Sequence, residues 1–179
     1  MRFSLHDCPR GVVTARGNRV VYDVGGDEAW FGAARVDGHA LLWELAGERE
    51  DAMLSVDVEL DPRTDWVMRC DRVDFPPGGV AYRHVHPGPG IRWLLHGELA
   101  IERPDQGRRV FGPYQAWFEG VEDPVLATAL ASEQTAFVRV LLLPAQWRGR
   151  RTIRYLDPAD EEQPKLQRAT VFLENGLVP

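Results

Sequence analysis

One stretch decides the fold of this chain, residues 78–99, which read GGVAYRHVHPGPGIRWLLHGEL. It predicts a β-strand, a tight turn and a second strand, because Pro fixes φ and Gly permits positive φ in the central Pro-Gly-Pro-Gly. Side chains two residues apart on a strand share a face. His84 and His86 are therefore predicted to point the same way, so that both imidazoles can converge on one metal ion.

The spacing in this stretch resembles the first sequence motif of the cupin superfamily. That motif has a Gly, five residues, His-x-His, three or four residues, a Glu, six residues and a final Gly. Gly78, His84, His86 and Gly97 match it, whereas Gly90 stands at the position of the Glu. The resemblance implies an all-β fold, an antiparallel jelly-roll barrel, here with extra N- and C-terminal strands. It also implies a divalent metal held by His and Glu ligands.

The superfamily's second motif reads Pro-x-Gly-x-x-His-x-x-x-Asn, and Pro113 matches its first position. Gln115 replaces the Gly, Phe118 the His and Glu122 the Asn. The family's last metal ligand is therefore missing from its position. A shift of one residue relative to the family would place Glu119 near the missing His.

Alternation along the strands predicts which side chains share a face, and the resemblance to the family motifs implies which face lines the interior of the barrel. The strand before the turn, the strand after it and the strand of the second motif each contribute alternate residues. The site predicted in this way consists of Tyr82, His84, His86, Arg92, Gln115, Trp117 and Glu119.

Three of these residues are the predicted metal ligands, namely His84, His86 and Glu119. Two His and one carboxylate form the arrangement of Fe(II) oxygenases, which leaves positions open for substrate and O₂. The same ligands suit Mn, Zn and Ni, so the donor types leave the metal open. In the alternative interpretation, the two histidines are hydrogen-bonded inside a metal-free barrel.

The other predicted residues would serve a small organic ligand. Arg92 would hold a carboxylate by bidentate hydrogen bonds, and Gln115 and Trp117 would complete the binding site. Tyr82 or Glu119 would transfer protons. Three of them also have a structural explanation. Arg92 would pair with a nearby carboxylate, Tyr82 would be a core tyrosine and Glu119 would be a loop carboxylate at the rim of the barrel.

Two functions therefore remain open. One is a metal-dependent oxygenase or isomerase acting on a small, anionic organic molecule. The alternative is a non-catalytic, metal-free module that binds or senses a small ligand, which the two missing family ligands favour. A purely structural domain ranks last, because buried polar histidines would carry an avoidable cost.

Length and composition restrict the partners. The 179 residues predict one domain, with strands of residues 1–65 packed on a barrel of residues 66–144 and a C-terminal extension of residues 145–179. A net charge of −6 without a basic stripe argues against nucleic acid. The sequence has no apolar run of about 18 residues, so no membrane span is predicted. No secretory signal is visible, so a cytoplasmic location is expected, together with a homodimer.

A short repeat in the sequence allows two interpretations. Ala29-Trp30-Phe31 recurs as Ala116-Trp117-Phe118. A decayed internal duplication would explain the repeat, but three residues also recur by chance.

Overall fold

The computed structural model describes residues 1–47 and 50–178, and nearly all of its regular structure is β. Two short 3₁₀ turns, Ala145–Trp147 and Pro158–Glu161, interrupt the strands. The described part contains no helix long and apolar enough to cross a membrane. The strands, in chain order, are β1 (Arg2–Cys8), β2 (Val12–Thr14), β3 (Arg19–Asp23), β4 (Glu28–Phe31), β5 (Ala34–Val36), β6 (Ala40–Leu45), β7 (Leu54–Asp57), β8 (Trp66–Phe75), β9 (Val80–Val85), β10 (Gly90–His96), β11 (Leu99–Arg103), β12 (Gly107–Phe111), β13 (Ala116–Glu119), β14 (Val125–Ala129), β15 (Thr135–Pro144), β16 (Arg154–Tyr155) and β17 (Arg168–Gly176).

The barrel is built from two antiparallel five-stranded sheets. One has the order β13-β10-β15-β8-β17 and the other β12-β11-β14-β9-β16. Residues 145–179, predicted as an extension of the barrel, add β16 to one sheet by pairing with β9 and β17 to the other by pairing with β8. The prediction of an all-β, antiparallel jelly roll with extra strands at both ends is confirmed.

A third five-stranded sheet, with the order β4-β3-β6-β1-β7, packs against the outer face of the β13-β10-β15-β8-β17 sheet. Alternate apolar residues of both sheets form this shared core, because successive side chains of a strand face opposite ways. Trp43 of β6 is fully buried there and donates its indole N–H to the carbonyl of Ile91 at 3.2 Å. The opposite face of the barrel sheet is left to line the interior.

The N-terminal sheet has the same topology as the barrel sheet that it covers. When the strands of each sheet are numbered in chain order, both sheets have the strand order 3-2-4-1-5. Along the chain, β2 follows the first strand of the N-terminal sheet and β5 follows its third strand. In the same way, β9 and β14 follow the first and third strands of the barrel sheet. The repeated tripeptides lie on the equivalent edge strands, where Trp30 pairs with Val21 and Trp117 with Arg92. This correspondence favours duplication over chance.

Candidate functional site

The barrel encloses a cavity of about 330 Å³ between its two sheets. Its walls are mostly apolar, and its polar floor consists of two histidines, two arginines and one glutamate. The exposed lining residues Arg151, Lys165 and Ala169 lie around β16 and the start of β17, which places the mouth there. The residues of the floor are His84, His86, Arg92, Glu119 and Arg139.

A β-bulge in β9 decides which residues reach this floor. Ala81 pairs with Ala127 and His84 with Val125, so the two pairs are three residues apart in β9 but only two residues apart in β14. An extra residue of this kind breaks the alternation of faces. Ala81 and His84 therefore both line the cavity, and Tyr82 does not. The prediction that Tyr82 shares the inner face of His84 is wrong for this reason.

The two histidines are held by main-chain carbonyls. His84 Nδ1 lies 2.6 Å from the carbonyl oxygen of Tyr82, and His86 Nδ1 lies 2.9 Å from that of Thr152. A carbonyl can only accept, so both rings carry their proton on Nδ1 and leave an unprotonated Nε2. The ring centroids are 4.9 Å apart, with an interplanar angle of 82°.

Both rings are neutral at pH 7. Burial lowers the pKa of His84 to about 4, even though its bond to the Tyr82 carbonyl and the charge of Glu119 act in the other direction. Burial, followed by the positive charge of Arg139, holds the pKa of His86 well below its usual range. The floor therefore carries no imidazolium charge at neutral pH.

Arg92 and Glu119 form a buried ion pair, with Arg92 Nη2 2.6 Å from Glu119 Oε2. Nη2 is buried, and Glu119 is its only partner among the described residues. Nη1 donates to the Gly90 carbonyl at 2.6 Å, and Trp117 donates its indole N–H to Glu119 Oε1 at 2.8 Å. Arg92 is thus held between the Glu119 carboxylate and the Gly90 carbonyl.

Opposing effects set the charge states of this pair. Burial raises the pKa of Glu119, but the Arg92 charge and the indole hydrogen bond outweigh it and hold this pKa below its usual value. Burial lowers the pKa of Arg92 to about 10, against the effect of Glu119. Both groups therefore remain charged at pH 7.

Arg139 is a floor residue that the sequence interpretation missed. Its Nε donates to Asp71 Oδ1 at 2.6 Å, and its Nη1 lies 3.3 Å from His86 Nε2. Asp71 is fully buried and also accepts from Arg69 Nε at 2.9 Å. The available signal was a lone charge in an otherwise uncharged strand, since Thr135–Pro144 reads TAFVRVLLLP.

The second-motif strand brings two of its predicted residues to the cavity and excludes one. Trp117 and Glu119 both line the cavity. Gln115 is exposed and accepts a hydrogen bond from the backbone N–H of Gly112 at 3.0 Å. The strand begins only at Ala116, after Tyr114 with a φ of 68°, so the alternation does not extend back to Gln115. The prediction of Gln115 as a binding residue is therefore wrong.

The proposed ligands do not fit a divalent cation in this arrangement. His86 Nε2 faces Arg139 Nη1 at 3.3 Å, and Glu119 Oε2 is paired with Arg92 at 2.6 Å. Two guanidinium groups thus stand where a cation would have to approach, and they would repel it. Within residues 1–47 and 50–178, no group of three or more His, Cys, Asp and Glu side chains is arranged to hold a metal.

The same charges suit an anion. The charged residues that line the cavity are four basic ones and a single acid, Glu119. Asp71 lies behind Arg139 and offsets one of the positive charges. The cavity lining is therefore net positive, although the whole chain carries −6. The four basic residues are Arg92, Arg139, Arg151 and Lys165.

Comparison with known proteins shows the fold. No family model matches this sequence, and no curated protein matches it. The structure is similar to an oxalate decarboxylase from Lactobacillus farciminis, solved as a formate complex, with a TM-score of 0.50 and 11% identity over 91% of this chain and 78% of that one.

Two further solved structures match over about half of this chain. The polyketide cyclase RemF from Streptomyces resistomycificus is 21% identical, with a TM-score of 0.41 over 52% of this chain and 62% of the cyclase. The cupin-2 domain Rru_A2000 from Rhodospirillum rubrum is 16% identical, with a TM-score of 0.40 over 59% of this chain and 83% of that one.

Proposed function

We propose that this chain, whose fold is the cupin fold, binds a small organic anion in its barrel cavity and does so without a metal ion. The observation that carries the proposal is the pair of buried guanidinium groups, Arg92 and Arg139, at the floor of an apolar cavity. Guanidinium groups recognise carboxylates through parallel hydrogen bonds.

The apolar walls add a second requirement, which is an apolar body attached to the anionic group. They include Val73, Phe75, Val125 and Phe137. A cavity of about 330 Å³ lies at the lower end of the range for small-molecule sites. A carboxylic acid with a short aromatic or aliphatic body satisfies the floor and the walls together.

Binding is favoured over catalysis by the state of the histidines. A general base works best when its pKa lies near the working pH, and the pKa of His84 lies at about 4. The metal-dependent oxygenase or isomerase needs donor atoms that Arg92 and Arg139 already occupy. The non-catalytic alternative therefore accounts for more of the site.

The proposal is tested by isothermal titration calorimetry with three molecules of matched size: phenylacetate, phenethyl alcohol and phenethylamine. We expect phenylacetate to bind in the presence of EDTA, and the neutral and cationic analogues to bind at least about tenfold more weakly, as for loss of a charge-assisted hydrogen bond. Adding Fe, Mn, Zn or Ni should leave the affinity for phenylacetate unchanged. Binding that requires one of these metals would overturn the proposal and support the metal-dependent function.

Variants locate the binding to the floor. Removal of Arg92 alone would leave Glu119 buried without its partner charge, so the informative variant is the double substitution Arg92→Met with Glu119→Gln. We expect it to fold and to lose phenylacetate binding. Arg35→Met, at a residue exposed on the surface, is the matched control. Equal affinity in both variants would place the ligand elsewhere.

A further inference from the structure

We propose that the ligand is a 2-hydroxy acid, whose hydroxyl group donates a hydrogen bond to His84 in the floor of the cavity. This inference rests on the proposed function, the binding of a small organic anion, and names the chemical class of that anion. The observation that carries it is a ring nitrogen of His84, Nε2, that has no hydrogen-bond partner among the described residues and is open to the cavity.

His84 uses one of its two ring nitrogens within the protein. The residue is 4% exposed, and its Nδ1 donates to the carbonyl of Tyr82 at 2.6 Å. Nε2 therefore carries no proton and can only accept a hydrogen bond. No group in residues 1–47 and 50–178 donates to it, yet protein atoms do not enclose it completely. Since the ring lines the cavity, Nε2 is open to whatever the cavity holds.

The second histidine of the floor differs in this respect. His86 has the same tautomer, but its Nε2 already lies 3.3 Å from Arg139 Nη1. The His84 ring stands nearly perpendicular to that of His86, with the centroids 4.9 Å apart, and has no contact of this kind. Buried polar groups are nearly always paired. The protein thus satisfies one imidazole acceptor itself and leaves the other to a ligand.

The open acceptor lies beside the groups that would hold the anion. Arg139 contacts His86, whose ring neighbours that of His84. Glu119 Oε2 lies 3.8 Å from His86 Nε2 and 2.6 Å from Arg92 Nη2. Short contacts therefore connect His84 with both arginines across one floor. A ligand group that reaches His84 Nε2 belongs to the same end of the ligand as the anionic group.

A carboxylate alone does not satisfy this floor. Its oxygens only accept hydrogen bonds, so they suit the guanidinium groups but meet a second lone pair at His84 Nε2. An ammonium group could donate, but it would face the positive charges of Arg92 and Arg139. A hydroxyl group on the carbon next to the carboxylate donates without adding charge. It is a small group that complements the arginines and the imidazole together.

The experiment is titration calorimetry in the presence of EDTA, with phenylacetate as the reference. The probe is mandelate, which is phenylacetate with a hydroxyl group on carbon 2, and both enantiomers are measured. We expect one enantiomer to bind about fivefold or more tightly than phenylacetate, in line with one net hydrogen bond. Phenylglyoxylate and the methyl ether of mandelate, which only accept at this position, should lack the gain. Phenylglycine, with an ammonium group there, should bind more weakly than phenylacetate.

A pair of variants tests whether the gain arises at His84. His84→Asn keeps an N–H that can reach the Tyr82 carbonyl but removes Nε2, so mandelate and phenylacetate should bind it with about equal affinity. His96→Asn, at an exposed histidine of β10 outside the cavity lining, should keep the ratio of the parent chain. Since the ratio is measured within each variant, a change in stability does not imitate the result.

A spectroscopic measurement on the parent chain needs no variant. An unprotonated imidazole nitrogen labelled with ¹⁵N shifts upfield when it accepts a hydrogen bond. We expect one of the five histidines of this chain to show such a shift with mandelate and not with phenylacetate. Identical histidine spectra with the two acids would show that no imidazole receives the hydroxyl group, and would overturn the inference.

The outcomes separate this inference from the proposed function. If phenylacetate binds and neither enantiomer of mandelate binds more tightly, the 2-hydroxy-acid inference is wrong and anion binding stands. If the gain persists in His84→Asn, another group receives the hydroxyl and the inference is also wrong. A gain that appears only after Fe, Mn, Zn or Ni is added would come from chelation of the metal and would overturn it too. If none of the acids binds, the proposed function itself fails, and this inference with it.

Discussion

At the scale of single residues, the floor of the cavity contains three kinds of charge compensation. Arg92 is paired with Glu119, Arg139 is paired with Asp71, and the two histidines are kept neutral by burial. Buried charges are retained at a cost unless partners are present. The stability of this chain should therefore respond to the protonation of the floor.

The first prediction concerns pH. In the folded chain His84 has a pKa of about 4, against an ordinary value of 6.5. The unfolded chain therefore binds more protons between these values, and stability rises with pH across this window. From pH 7 down to pH 4, His84 alone should cost about 3 kcal/mol of unfolding free energy, at about 1.4 kcal/mol per pH unit. Urea denaturation between pH 4 and pH 8 measures this.

The controls for the pH prediction are two further variants. His84→Asn keeps an N–H that can reach the Tyr82 carbonyl but removes the titrating group, so its stability should fall less steeply below pH 6.5. His96→Gln changes an exposed histidine on β10 and should behave as the parent chain does. A pH dependence that is the same in all three proteins would contradict the neutral buried state of His84.

At the scale of elements, the bulge in β9 is the feature that shapes the site. It turns the carbonyl of Tyr82 toward His84 Nδ1, at 2.6 Å, and leaves the Tyr82 side chain outside the cavity lining. Regular alternation would have produced the opposite arrangement. Bulges often occur next to functional sites for this reason, since they re-aim a side chain.

The second prediction tests this bulge. Tyr82→Phe removes only a hydroxyl that lies outside the cavity lining, so the affinity for phenylacetate should stay within about twofold of the parent chain. Titration calorimetry on this variant and on the parent chain provides the comparison. A tenfold loss of affinity in Tyr82→Phe would show that Tyr82 faces the ligand, as regular alternation predicts.

At the scale of the whole molecule, the N-terminal sheet and the barrel share one core. The two sheets have the same strand order, but the two floor arginines of the barrel sheet have apolar counterparts in the N-terminal one. By register, Val21 corresponds to Arg92 and Leu42 to Arg139. The N-terminal half thus repeats the architecture of the barrel without repeating its two floor arginines.

The third prediction follows from the shared core. Trp43 is fully buried between the sheets, so Trp43→Ala should cost about 3–5 kcal/mol of unfolding free energy. The N-terminal sheet and the barrel should still unfold in one transition, with far-UV and near-UV circular dichroism changing together. Trp30→Ala, at a tryptophan that is 36% exposed in the same half, should cost much less. Two separate transitions in the parent chain would show that the halves fold independently.

The homodimer stays a prediction at this scale. The N-terminal sheet covers the outer face of one barrel sheet within the same chain, and β17 pairs with its own β8. An exchange of edge strands between subunits would therefore have to use the other edges. The molar mass in solution, measured by light scattering, decides between one and two copies.

Much of the fold was predictable from the sequence, since local patterns carry it. Alternation and the Pro-Gly-Pro-Gly turn predicted two strands within residues 78–99, where the structure has β9 at Val80–Val85 and β10 at Gly90–His96. The first strand, β1, was not recognised, because its His6 and Asp7 interrupt the apolar pattern of an otherwise buried strand. His6 is nevertheless fully buried and contacts Ser4.

The site was predictable only in part. His84, His86, Arg92, Trp117 and Glu119 all line the cavity. Alternation holds from His84 to His86 and from Trp117 to Glu119, so the members of each pair share a face. Tyr82 and Gln115 do not, because a bulge and a turn shift the strand faces, and neither leaves a clear mark in the sequence.

By itself the sequence determined the hairpin that carries the two histidines, since alternation and turn residues act between near neighbours. The jelly-roll class followed from the motif spacing only through the resemblance to the cupin superfamily. The tertiary structure alone decided the partners of those histidines. Arg139 reaches His86 from a strand more than fifty residues away, and Asp71 holds Arg139 from the neighbouring strand of the same sheet. Charge compensation in a buried cavity depends on which strands lie side by side, and strand order is a property of the whole chain.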